Sequence, residues 1–218
     1  DPMQRNNFSD TQQQPRYLHH VEEFTQWSKN LLSPLTKEYM ANMTTSASDK
    51  LKTEISENQK RLDKIQHYKE LGSSHLHNGR FKEAISVAQE AKDFITKFYG
   101  ADHIDCVYMN ILLGEAYTHS DQHDLARKSL KEAKKVVDHS MESSELQLYS
   151  MLCYNDLGYL ERLECNFVKA YEMYYKVLQM KISLYGENSP EVSLAYVNIG
   201  LVMTSLGRFA DALQVFNK

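Results

Sequence analysis

The chain has 218 residues, of which 25 are basic, 29 acidic and 42% hydrophobic, with a formal net charge of −4. That balance carries no basic footprint for nucleic acid, and no apolar run approaches the roughly 20 residues of a membrane-crossing helix. Three cysteines, Cys106, Cys153 and Cys165, form no CxxC pair, so free thiols in a reducing, cytoplasmic setting are expected rather than a disulfide framework.

In chain order, residues 1–15 are polar and rich in Gln and Asn, with little to bury, and are expected to stay disordered. Met3 behind Asp1-Pro2 is expected to be the native start. The sequons at Asn7 and Asn42 are expected to be accidental, because no secretory hydrophobic segment precedes them. Residues 16–48 are expected to form an N-terminal helical segment. Tyr17, Val21, Phe24 and Trp27 fall on one helical face, and Ser33-Pro34 ends that helix and opens a short second one. Ser46 with Asp49 has the spacing of a capping box, opening a helix of about 30 residues that runs to Asn78. Its stripe Leu51, Ile55, Leu62 and Ile65 is too short for a coiled coil and suits packing on a neighbour.

Four helix pairs follow, at about 62–98, 103–138, 142–184 and 190–218, within an array expected to cover 49–218. They are copies of one unit. Gly72, Gly114, Gly158 and Gly200 recur at steps of 42, 44 and 42 residues, and each is followed twelve residues later by an Ala: 84, 126, 170 and 212. A glycine inside a helix costs about 1 kcal/mol relative to alanine, so four at one phase imply close helix crossings. Gly79 and Gly207 mark the turns between helices, and Gly100 and Gly186 close second helices. No glycine is left for a phosphate loop. Tyr68, Tyr117, Tyr154, Tyr174 and Tyr196 are expected to pack their rings between helices with the hydroxyls reaching the rim. The last helix stops short of its counterparts, so the array is expected to continue past Lys218.

The spacing resembles the tetratricopeptide repeat. KFYGADHIDCVYMNILLGEAY (97–117) and SLYGENSPEVSLAYVNIGLVM (183–203) are similar to the 42-residue repeats of kinesin light chains, with a Tyr-Gly ending before a His/Ser-x-Asp/Glu start. The resemblance implies an all-α fold, a right-handed superhelical solenoid of antiparallel helix pairs whose first helices line a concave groove. Positions three to four residues either side of each Gly then face inward. The groove residues expected to hold a partner are Lys69, Tyr108, Ile111, Asn155, Tyr159, Arg162, Val197, Asn198 and Leu201, beside Leu112, Glu115, Leu152, Asp156, Leu194 and Thr204. The carboxylate clamp of chaperone-tail-binding relatives is not expected, because only Lys69 matches it while Ser73, Leu112, Leu152 and Asp156 replace the rest. Of the Asn pair with which kinesin light chains grip a peptide backbone, Asn155 and Asn198 each keep one member.

No catalytic constellation emerges. His19-His20-Val21-Glu22-Glu23 lacks the zinc-protease spacing, and no Ser-His-Asp, Cys-His or paired-carboxylate arrangement follows from sequence order. Neither an enzyme activity nor a metal or cofactor is expected. Lys128, Lys131, Lys134 and Lys135, interspersed with Glu132 and Asp138, suggest an exposed face paired along its own helix. Two functional readings stay open. In one, the chain is an adaptor or scaffold taking a protein or peptide partner in the groove. In the other it is a regulator whose residues 16–43 (Tyr17, Val21, Phe24 and Trp27 foremost) cap or gate that groove until a partner displaces them. Sequence says nothing about oligomeric state.

Overall fold

Four second helices carry an apolar stripe one turn apart, and that periodicity sets where they bury. The computed structural model describes residues 45–139 and 143–218; the gate residues Tyr17, Val21, Phe24 and Trp27 lie outside them. Among the described residues there are eight helices and no strand: α1 (Thr45–His77), α2 (Phe81–Tyr99), α3 (Ile104–His119), α4 (His123–Val137), α5 (Ser144–Leu163), α6 (Phe167–Tyr185), α7 (Pro190–Ser205) and α8 (Phe209–Phe216). The fold is all-α, with the helices packed in sequential order. Residues up to Gln59 and from Lys60 on form two compact units. In the first, the described residues are the opening turns of α1, where Asp49 pairs with Lys52 at 3.3 Å and its carbonyl accepts from the Thr53 hydroxyl. The chain is already helical at Ser46, so the capping box expected there does not open this helix.

In the second unit, each helix from α2 onward packs on the next, and the first helices α3 and α5 also touch. α2 buries Ala84, Ala88, Ala91 and Ile95 on one stripe, while α3 buries twelve of its sixteen residues and is a core helix. Local chemistry fixes the helix starts. His103 accepts from the Asp105 amide, the Ser143 hydroxyl oxygen accepts from the Leu146 amide at 3.1 Å, and Pro190 fills the first turn of α7.

The glycine notches are filled as the repeat implies, but by different residues. A Cβ on Gly114 would lie 2.4 Å from Leu130 Cγ, on Gly158 2.9 Å from Tyr174, and on Gly200 2.3 Å from Phe216. The close approach is therefore to the large side chain one turn beyond Ala126, Ala170 and Ala212, rather than to the alanines themselves, which are buried beside it. Repeat one departs from this, since its residue at that place is Ala88, and Leu112 of α3 fills the Gly72 notch instead.

All five phased tyrosines are buried. Tyr68 donates to Glu90 at 2.5 Å, Tyr154 to Asp138 at 2.5 Å, and Tyr117 accepts from Gln89. Of the lysine face on α4, Lys134 pairs with Asp138 along the helix, but Glu132 reaches across to Lys92 of α2 at 2.5 Å.

The turn inside each pair takes a left-handed residue at one phase. Gly79 and Gly207 stand there at φ +69° and +75°, but Asp121 and Cys165 occupy it at φ 56° and 60°. A Cβ in that region costs about 1 kcal/mol, and the Cys165 side chain is exposed, so it returns little packing. Cys165→Gly is therefore expected to raise the thermal midpoint, by about 1 kcal/mol of added stability; an unchanged or lowered midpoint would show that the turn is not strained.

Candidate functional site

The first helices α1, α3, α5 and α7 carry the expected groove positions, and burial divides these into a closed half and an open half. In α3, Ile111 and Leu112 are 4% and 3% exposed, and Thr118 is buried with its hydroxyl donating to the Gly114 carbonyl. Ile111 belongs to the core and is not a surface anchor, because Leu112 seats in the Gly72 notch and draws α3 tightly against α1. On α7 the matching positions are open: Leu194, Val197 and Leu201 are 59%, 41% and 43% exposed.

Lys69 is held inside the closed half. Its ammonium pairs with Asp105 and lies 3.7 Å from Glu145. It also donates to the Tyr149 hydroxyl at 3.3 Å and sits over the rings of Tyr108 and Tyr149, which are 5.4 Å apart. Tyr149 in turn donates to Glu145 at 2.7 Å. Burial, and then the Glu145 carboxylate, push the Tyr149 phenol far above its ordinary range, so it acts as a neutral donor. Three repeats thus converge on one lysine, with its charge matched internally. Asp105, Glu145 and Tyr149 were not among the site residues that the sequence singled out; Asp105 and Tyr149 precede their repeat glycines by the same nine residues.

The open half is joined by an amide contact. Asn198 of α7 donates to the Asn155 side-chain oxygen of α5 at 3.0 Å, and Asn155 lies 3.5 Å from the Asp156 carboxylate. Further along α5, Tyr159 packs against His119 of α3 with ring centroids 5.9 Å apart, and the Arg162 guanidinium stacks over Tyr159 at 5.2 Å. Phe81 also stacks on His119, with ring centroids 5.1 Å apart.

The structure also brings two carboxylates together that sequence order did not pair: Glu115 of α3 and Asp156 of α5. Burial, and then the Glu115 charge, hold the Asp156 carboxyl well above the usual range. Glu115 is raised by burial too, opposed by nearby His119. In the repeat frame they stand one residue after Gly114 and two before Gly158, which are neighbouring inward positions. That adjacency was the available signal.

Two of the three thiols are inert. Cys106 and Cys153 are buried, and burial pushes Cys153 up to about 12. Among the described residues no group of three His, Cys, Asp or Glu side chains could hold a metal, and no helix is long and apolar enough to cross a membrane.

A family model for the tetratricopeptide repeat matches residues 63–137 and 149–218. The chain belongs to the tetratricopeptide-repeat family. This chain is 28% identical over 157 residues to a BBSome complex member, the BBS4 homolog of Drosophila melanogaster, covering 71% of this chain and 30% of that protein. The chain therefore spans under a third of that relative's length. Its fold is similar to BtubC (BKLC) from P. vanneervenii, with a TM-score of 0.60 at 18% identity over 70% of this chain and 60% of the other. It is also similar to the nearly identical repeats of a putative kinesin light chain from Podospora anserina. There the TM-score is 0.54 at 14% identity, over 84% of this chain and 89% of the other.

Proposed function

We propose that this chain is a non-enzymatic protein-interaction module, an adaptor or scaffold that holds a partner segment on the open half of its groove. The observation that carries the reading is the Asn198–Asn155 hydrogen bond, which sets two half-buried side-chain amides side by side across α5 and α7 next to the half-buried Tyr159. Membership of a repeat family and likeness to a subunit of the BBSome complex support an interaction role. Tyr159 and Leu201 supply apolar contact area, while Asn155, Asn198 and Arg162 fix register through amide and guanidinium donors. Lys69, with its charge matched by Asp105, stiffens the groove rather than reaching a ligand.

The test is selection of random twelve-residue peptides on the chain, followed by affinity measurement on Leu201→Asp and on Asn155→Ala/Asn198→Ala. Peptides that lose at least about tenfold in affinity on Leu201→Asp support groove binding, since a buried charge facing an apolar contact costs more than that. Peptides indifferent to both variants overturn it. The alternative, a groove gated by residues 16–43, rests on the apolar face of Tyr17, Val21, Phe24 and Trp27 in the sequence.

A further inference from the structure

The sequence pairs the α4 lysines with acids of their own helix, but packing takes most of those acids away. Glu132 reaches across to Lys92 of α2 at 2.5 Å, and Glu161 and Glu164 are both drawn to Arg127. Lys128, Lys131 and Lys135 are exposed and make no ion pair among the described residues. Asp138, at the end of α4, is shared. Lys134 pairs with one of its oxygens along the helix, and Lys176 of α6 lies 3.6 Å from the other. Lys176 also stands over the Tyr154 ring at 3.8 Å, and Lys134 over the same ring at 5.3 Å. One carboxylate therefore serves two ammoniums. The remaining acids of the two helices, Asp124 and Glu172, form no ion pair with these lysines among the described residues.

Lys128, Lys131 and Lys135 follow one another at steps of three and four residues, so they line a single face of α4 for about 10 Å. The opposite face of that helix buries Ala126, Leu130, Ala133 and Val137 against its neighbours. The lysine line thus points away from the first helices and from the groove they carry. A chain of net charge −4 gathers Lys128, Lys131, Lys134, Lys135 and Lys176 around Asp138 on this outer ridge.

We propose that this ridge, α4 together with Lys176 of α6, is a second docking surface that takes a short acidic segment of a protein partner. It stands apart from the groove and does not depend on the groove reading. Charge complementarity carries it. Each glutamate or aspartate laid along the line meets an ammonium that has no carboxylate of its own, so binding breaks no existing pair. The length of the ridge sets the class of partner. A nucleic-acid backbone carries a charge about every 3.4 Å per strand and runs on, so beyond about 10 Å it would leave the lysines for a net acidic surface. An extended peptide with carboxylates two residues apart, about 7 Å, ends where the ridge ends.

The test titrates three fluorescein-labelled probes against the whole chain by anisotropy. They are a twelve-residue peptide alternating glutamate and alanine, its glutamine counterpart, and a twelve-nucleotide oligothymidylate. Expected is binding of the glutamate peptide at least about tenfold tighter than the glutamine peptide, weakening as salt is raised. Lys128→Gln/Lys131→Gln/Lys135→Gln should abolish that advantage, and Lys128→Arg/Lys131→Arg/Lys135→Arg should keep it. The changed side chains are exposed, so both variants should retain the helical circular dichroism of the parent. Leu201→Asp in the groove, and the charge-matched Lys50→Gln/Lys60→Gln/Lys82→Gln, should leave most of the advantage in place. Equal binding of the two peptides, an equal loss in the charge-matched variant, or no binding by any probe overturns the proposal. Tighter binding of the oligothymidylate than of the glutamate peptide overturns it in favour of a nucleic-acid contact. Binding that falls with Leu201→Asp but not with the α4 glutamine variant overturns it too, and moves the acidic segment to the groove.

Discussion

Arg127→Met is expected to destabilise the array by roughly 2–3 kcal/mol at neutral pH, between the worth of an exposed pair and that of a fully buried one. Arg127 of α4 bridges to Glu161 and Glu164 at the end of α5, and Asn166 adds a bond to Glu161 at 2.9 Å. Glu161 is only 7% exposed, so removing the guanidinium strands a carboxylate in the core between repeats two and three. The pH dependence has a definite sign. Burial raises the Glu161 carboxyl, but Arg127 and Asn166 outweigh it and hold the folded value below the ordinary one. That stabilisation is therefore present above the unfolded value of about 4.3 and is lost as pH falls through the folded value. The gap between wild type and Arg127→Met should be widest at pH 7 and should narrow toward about pH 3.5 in urea titrations followed by helical circular dichroism. Adding Glu161→Met should recover most of the loss, because the stranded charge goes with it. An equal loss at both pH values, or no recovery in the double variant, would show that Arg127 acts through packing alone.

Gly114→Val should cost about 1–3 kcal/mol by over-packing, even though valine forms helix more readily than glycine. The new Cβ would fall 2.4 Å from Leu130 Cγ, and Leu130 is 0% exposed with no room to retreat. Gly200→Val is the control. Its Cβ would come as near to Phe216, 2.3 Å from Cε1, but Phe216 is 44% exposed and ends the short α8, so its ring can swing outward. The loss at Gly200 should be less than half that at Gly114. Leu130→Ala in the Gly114→Val background should cost less than the two changes summed, since each relieves the other. Equal denaturation midpoints for Gly114→Val and Gly200→Val would sink the idea that the mobility of the facing side chain decides the cost.

The same contrast between covered and open positions runs along the groove. Ile111 and Val197 hold one place in the repeat, three residues before the helix glycine, and both were expected to face the hollow. Ile111 is core, because α3 is drawn onto α1 by Leu112 in the Gly72 notch and also packs on α5, whereas Val197 is 41% exposed. Lys69 carries the same lesson for charge. Its place matches a carboxylate-binding lysine, yet its own chain supplies the carboxylates.

Periodic and local features were legible in the residues alone. Four glycines and four alanines at a common phase, turn residues between them and Tyr-Gly at the ends of second helices are enough to identify helix pairs of the tetratricopeptide kind, since these features act within one repeat. Contacts that cross from one repeat to the next came from the folded chain. Packing put Leu130 rather than Ala126 in the Gly114 notch, Glu132 on Lys92, Asp105 and Glu145 on Lys69, and Glu115 beside Asp156. It also placed Asp121 and Cys165 at φ > 0, where Gly79 and Gly207 stand in the other repeats. The physical reason is that a one-dimensional period states which face of a helix a residue occupies, but not which side chain of a neighbouring helix it meets. That depends on the tilt and offset between stacked helices, which the packing of all of them sets together.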